Sequence, residues 1–144
     1  MSPPLHAHEW RSLAECAELL LADRVAGYPE AVAANKLTPE AAARGIAAMT
    51  AVVAVWREAA AFRLPEHDFA FDRHAMIETL RIALRRLHAT AAADPHNDFL
   101  ANRRDCTAAM LWWHERFSDG PFHMVRGTLI ARERAARDAE RIAA

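Results

Sequence analysis

Between Tyr28 and Met49 the chain reads YPEAVAANKLTPEAAARGIAAM, and its turn-forming residues stand in the order that a corner between helices requires. Gly27 can take the left-handed conformation that ends a helix. Pro29 disfavours the α region at Tyr28 while fitting the first turn of a new helix. A short helix over Pro29–Ala34 then stops at Asn35, the non-glycine residue that best tolerates the left-handed region. Thr38 follows as an N-cap, Pro39 takes the first helical position, and Glu40 puts a negative charge at the positive end of the helix dipole. The third helical position is Ala41 rather than Glu or Gln, so no reciprocal capping box forms. Beyond it Ile46, Met49, Val53, Trp56 and Ala60 recur at 3-4-3-4 spacing, which is one face of an α-helix.

The same period runs through the rest of the chain. A first helix from about His8 to Ala26 would turn Trp10, Leu13, Ala17, Leu20, Leu21 and Val25 inward. The helix opened by Pro39 continues to Phe62, where Leu64-Pro65-Glu66 breaks the pattern. Asp68 or Asp72 can cap the next helix, which carries Met76, Ile77, Leu80, Leu84 and Leu87 to about Ala93. Asp94-Pro95 signals another start, with Asn97 as a competing cap, and Phe99, Cys106, Met110, Trp113 and Phe117 share one face of the helix that follows. Ser118-Asp119-Gly120-Pro121 is a turn, and a last helix begins near Phe122 with Val125 and Leu129 before becoming rich in Arg, Glu and Ala. With 144 residues and only four glycines, the expectation is an all-α, single-domain bundle over residues 1–144. It has five main helices and one short one, a frayed segment 1–7, and a C-terminal helix that extends over 131–144.

One resemblance attaches to the corner. Tyr28-Pro29, Val32-Ala33, Lys36-Leu37-Thr38, Glu40-Ala41 and Ile46-Ala47-Ala48-Met49 together resemble the "YPxxVAxGKLT … EA … IAxM" segment of small, largely uncharacterised helical proteins from phages and prophages. The resemblance covers about a sixth of the chain and implies a phage-linked origin and a helical hairpin, with no activity attached. Asn35 stands where the family usually has Gly, and Gly45 where a charged helix former is usual. A mid-helix glycine costs about 1 kcal/mol against alanine. Gly45 therefore either makes room for a close neighbour or is drift.

Charge and composition exclude several classes. The formal net charge of −1 supplies no global field toward nucleic acid or acidic membrane, although the chain is acid-rich up to Asp72 and modestly basic from Arg73. The longest apolar run, Ala47–Trp56, is interrupted by Thr50 and too short to span a bilayer, and MSPPLHAHEW lacks the pattern of a signal peptide. Cys16 and Cys106 each lie on an apolar helical face, as buried thiols of a reducing compartment do. These features together point to a cytoplasmic protein with no membrane partner.

Catalytic signals are thin. Glu15 and Glu18 have the spacing of half a metal-binding motif found in helical nucleotide pyrophosphatases, but the matching half is missing, and an amphipathic surface explains them. His74 and Glu78 would share a helical face, with His67, Asp68, His114 and His123 as conceivable company. No Glu-x-x-His pair repeats on two helices, so His74/Glu78 reads as a weak metal candidate and more simply as a solvent-facing pair. No nucleophile elbow or phosphate-cradling glycine loop occurs. No cofactor is expected, and the balance is against an enzyme.

Two binding classes remain. The helix opening Pro39-Glu40-Ala41-Ala42-Ala43-Arg44 is a poor reader of bases, since Glu40 would repel phosphate. A nucleic-acid surface would instead use Arg81, Arg85, Arg86, Arg103, Arg104, Arg126 and Arg132. For a protein partner, Trp112 and Trp113 are about 100° apart on a helix. Trp113 suits the core, and Trp112 becomes a candidate anchor together with Trp10 and Arg116. The C-terminal helix could pair with a second copy as a homodimer. The first expectation is thus an inhibitor, adaptor or regulator that binds another protein; nucleic-acid association is the alternative and a cryptic metal-dependent hydrolase the third.

Overall fold

The computed structural model describes residues 2–65 and 73–144. Among these residues five helices make up an all-α bundle: α1 (Trp10–Ala33), α2 (Pro39–Ala60), α3 (Arg73–Ala93), α4 (Asp98–Arg116) and α5 (Phe122–Ala143). No strand occurs among the described residues, and none of their helices is long and apolar enough to cross a membrane.

The corner between α1 and α2 is built as its residues dictate. Asn35 sits at φ +57°, with its own N–H donating to Val32 O at 3.1 Å and the Lys36 N–H to Ala31 O at 2.9 Å. This pair of bonds satisfies two carbonyls that the end of a helix leaves open. Thr38 Oγ1 accepts from Ala41 N at 3.1 Å, Pro39 opens α2, and Glu40 lies in its first turn. A second left-handed closure ends α2 at Phe62, φ +55°, where Arg63 N donates to Glu58 O at 3.0 Å. Here the Arg132 guanidinium lies 5.0 Å from the Phe62 ring centre.

Three expectations for helix boundaries are corrected. α1 does not stop at Gly27: it runs through Pro29 to Ala33, and the separate short helix is its last part. Pro29 has no N–H for Val25 O, yet both residues are exposed, so the carbonyl that the ring leaves open lies on the solvent side of the helix. The inward stripe also differs from the expected one at its end. Leu13, Ala17, Leu20 and Arg24 are buried, whereas Val25 is 55% exposed. α4 starts at Asp98 rather than at Asp94-Pro95, because Asn97 Oδ1 caps Leu100 N at 3.2 Å while its Nδ2 donates to the Asp94 carboxylate at 3.1 Å. Phe99 in that first turn is 77% exposed, off the apolar face assigned to it. The candidate caps Asp68 and Asp72, and His67, lie outside the described residues.

α1 packs chiefly on α2 and α3 on α4, and α1–α4 and α2–α3 contacts close the arrangement around one core. Leu13, Met49, Val52, Trp56, Leu80 and Met110 are wholly buried in it. Contacts along α1 and α4 run in opposite senses: Trp10 meets Trp113, Cys16 meets Thr107, and Asp23 meets Arg103. The two helices are therefore antiparallel. Phe122 and Val125 are the buried residues of α5, and every residue from Ile130 to Ala144 is exposed.

Candidate functional site

At the end where α4 finishes, aromatic side chains close the bundle. Trp113 Nε1 donates to Ala7 O at 2.7 Å, and Ala7 is 2% exposed. His8 and Trp10 pack against Trp113, and His6 pairs with the Glu9 carboxylate. Residues 4–9 are thus a docked turn, not the frayed tail expected from their composition. Trp112 stands edge-on to Trp113 at 4.9 Å, and Phe117 stacks on His123 at 3.9 Å. Of the three proposed anchors, Trp10 and Trp112 are half-buried against the core, and Arg116, at the end of the helix that carries Trp112, is exposed.

His114 lies beneath this cluster, fully buried. Trp56 Nε1 donates to its Nε2 at 3.0 Å, so the ring is neutral with its proton on Nδ1. Burial, aided by the Arg73 cation, pushes its pKa down to about 4. A Cβ on Gly120 would come within 2.9 Å of Nδ1, and Gly120 itself is at φ +57°, so that turn can hold only glycine comfortably. Arg73 Nη2 donates to His114 O at 3.0 Å, placing a cation at the negative end of α4. His114 is consequently a tie between α2 and α4. His74 and Glu78 are exposed, and no three His, Cys, Asp or Glu residues among those described could hold a metal ion. Glu18, of the Glu15/Glu18 pair, accepts from Arg57 at 2.7 Å across the α1–α2 surface.

The cysteines, distant in sequence, meet between α1 and α4. Both are buried and free, and Cys16 Sγ lies 3.6 Å from Thr107 Oγ1. The mutual interaction of the two thiols holds Cys16 below the usual thiol range and, with burial, Cys106 above it.

Most of the arginines named for a nucleic-acid surface are paired within the chain. Arg81 pairs with Glu115 at 3.0 Å, Arg103 with Asp23 at 2.7 Å, Arg104 with Asp105 at 3.0 Å and Arg126 with Asp119 at 3.1 Å. Arg132 lies over Phe62. Arg85 and Arg86 are exposed and make no ion pair among the described residues. Exposed pairs of this kind contribute at most about 1 kcal/mol each, but they neutralise the field that a phosphate backbone would seek.

At the opposite end, α1, α3, the N-terminal part of α4 and the Lys36-Leu37 corner enclose a cleft of about 680 Å³. Leu20, Leu37, Ile82, Leu87 and Leu100 give it apolar walls, and Arg24, Lys36, Arg86 and Arg103 line it against a single carboxylate among the described residues, Asp23. Arg24 is its least expected member, only 7% exposed. Its Nη1 donates to Gly45 O at 2.7 Å and to Thr79 Oγ1, and its Nη2 donates to Thr79 O at 3.1 Å. The guanidinium carbon lies 5.7 Å from the Tyr28 ring centre. Burial and the nearby Arg86 charge hold its pKa below the usual guanidinium range, yet it stays charged.

Gly45 has its explanation here. A Cβ at this position would meet Tyr28 Cε2 at 3.1 Å and Tyr28 Oη at 3.2 Å. The absent side chain makes room for the phenol ring that covers Arg24. Sequence reasoning placed Arg86 and Arg103 among basic candidates but missed Arg24, Tyr28 and Lys36 as site residues. The usable signal was the 4-3-4 spacing of Leu13, Ala17, Leu20 and Arg24, hidden by giving the inward place to Val25 rather than to its charged neighbour.

No protein-family model matches the chain, no curated protein matches its sequence, and no solved structure matches its fold, so its function must be argued from the site itself.

Proposed function

We propose that this protein acts by binding rather than by catalysis, as a phage- or prophage-linked accessory protein that docks onto another protein. The resemblance at Tyr28–Met49 supports the origin, and the same segment contributes Tyr28, Lys36 and Leu37 to the cleft. The charge imbalance of the cleft carries the binding role. Its one carboxylate, Asp23, already pairs with Arg103, which leaves Arg24, Lys36 and Arg86 without an acidic partner among the described residues. A volume of about 680 Å³ falls within the range of about 300–1,000 Å³ typical of sites that enclose a compact group. Apolar walls with a cationic floor suit an acidic residue flanked by aliphatic ones, presented by a partner that is inhibited, bridged or regulated. Nucleic acid is less well matched, because Arg81, Arg103, Arg104 and Arg126 already face carboxylates of this chain.

Affinity capture from a bacterial lysate tests this, comparing wild type with Lys36→Glu and Arg86→Glu at exposed positions. A specific protein retained by wild type and lost from both variants is expected. Capture of nothing specific, or of the same protein by all three, would refute the proposal. Elution from heparin at low salt should accompany it; strong retention that Arg85→Glu abolishes would favour nucleic acid instead.

A further inference from the structure

Arg24 brings a permanent charge into the protein where a neutral side chain would fit the stripe begun by Leu13, Ala17 and Leu20. Its acceptors are two backbone carbonyls and a hydroxyl, all uncharged. Dipoles solvate a buried guanidinium without cancelling its field, and a buried charge without a counter-ion is costly. Arg86 adds a second positive charge on the same cleft, close enough to depress the ionisation of Arg24, and Lys36 adds a third. Like charges gathered on one concave, low-dielectric surface focus a positive potential into it. Among the described residues the one carboxylate on the cleft, Asp23, is already paired with Arg103, so the group that would relieve them is an incoming anion.

We propose that the floor of the cleft is a carboxylate-binding subsite, in which Arg24 supplies the buried positive centre and Arg86 and Lys36 reach the carboxylate oxygens directly. This rests on the cleft being the docking surface, and it specifies the group recognised there. The walls decide the kind of anion. Leu20, Ile82 and Leu87 offer apolar contact beside the cations, which rewards a carboxylate on an aliphatic stem, as in a Glu side chain. Inorganic phosphate would forgo those contacts. The Thr90 hydroxyl gives an oxyanion no further donor, because it already donates to Arg86 O at 3.1 Å. The Arg86 and Lys36 side chains are free to close on a ligand, since neither forms an ion pair among the described residues.

Titration of the ¹⁵N-labelled protein with hexanoate, 1-hexanol and inorganic phosphate, followed by amide chemical shifts, tests the subsite. Hexanoate should bind saturably, shifting Leu20, Lys36, Arg86 and Leu87. The uncharged alcohol should bind at least about tenfold more weakly, the loss of one charge-assisted hydrogen bond. Arg86→Gln and Lys36→Gln, both at exposed positions, should each weaken hexanoate about tenfold while leaving the helical circular dichroism unchanged. Arg24→Gln should abolish binding if it folds, and the two surface variants decide the matter if it does not. No saturable shift in the cleft, equal binding of hexanol, unchanged affinity in Arg86→Gln, or tighter binding of phosphate would each overturn the proposal. If hexanoate fails while Lys36→Glu still releases a captured partner, the docking surface stands without the subsite. If hexanoate binds and no partner is captured, the subsite stands and the docking role falls.

Discussion

Arg24 and His114 are both basic side chains buried in the same core, at opposite ends of the antiparallel α1–α4 pair, and they meet burial in opposite ways. His114 gives up its charge: the ring is neutral, accepts from Trp56 and is closed over by the Gly120 turn. Arg24 cannot, so it remains a cation held by carbonyls, a hydroxyl and the Tyr28 ring. Neutral imidazole makes one end of the molecule an ordinary, if polar, piece of packing. Retained charge makes the other end a place that can attract something. The contrast separates a structural residue from a site residue more sharply than exposure alone, since both are buried.

The largest effect should come from breaking the His114 end. Gly120→Val places a branched side chain at φ +57° against an imidazole that has nowhere to go. Strain and overpacking together should cost about 4 kcal/mol, a large share of a domain's total stability. Urea denaturation would register this, and a loss under 1 kcal/mol would mean that the ring moves aside freely.

Next comes pH, which should act on one end alone. The folded-state pKa of His114, about 4, lies below its unfolded value of about 6.5, so the unfolded chain binds the extra proton between them. Stability from this group is complete above about pH 7, falls as pH drops toward 4, and changes no further below that. The total is about 3 kcal/mol. His114→Gln should flatten the pH dependence in that window, whereas Arg24→Gln should leave its slope intact; an unchanged slope in His114→Gln would assign the titration elsewhere.

Smaller changes probe the Arg24 end. Thr79→Val keeps the shape of a buried side chain but removes a hydroxyl that accepts from Arg24, and should cost about 2 kcal/mol by thermal or chemical unfolding. A neutral result would show that the carbonyls suffice. Gly45→Ala should lose about 1 kcal/mol, because contact with Tyr28 outweighs the gain in helix propensity. In a Tyr28→Ala background the same substitution should instead stabilise by about 1 kcal/mol. Failure of the sign to reverse would detach Gly45 from the ring that covers Arg24.

Much of the helical framework was legible residue by residue. Asn35, Thr38, Pro39 and Gly120 occupy the conformations that their chemistry favours, and Met49, Trp56, Leu80 and Met110 fall on the buried stripes. The errors share a cause. Gly27 and Pro29 do weaken a helix, and residues 1–7 do look unstructured in sequence, but packing outweighs such local preferences of a few kcal/mol or less. α1 runs on through its proline because its inner face is covered, and Ala7 is docked because Trp113, over a hundred residues away, needs an acceptor. Of the candidate site, only Arg86 and Arg103 could be named in advance, and without knowing that they share a cleft.

The sequence by itself determined the corner from Asn35 to Pro39, the Gly120 turn and the period of the buried stripes, because capping, glycine geometry and hydrophobic period are interactions among residues a few positions apart. Which charges survive was settled only in three dimensions. Asp23 neutralises Arg103, Glu115 neutralises Arg81, and the two thiols find each other, all across long stretches of chain. Arg24 gains no such partner among the described residues, and its burial follows from its place on the packed face of α1, against Gly45 and Thr79. Charge pairing depends on distances between helices, and those exist only once the bundle has formed.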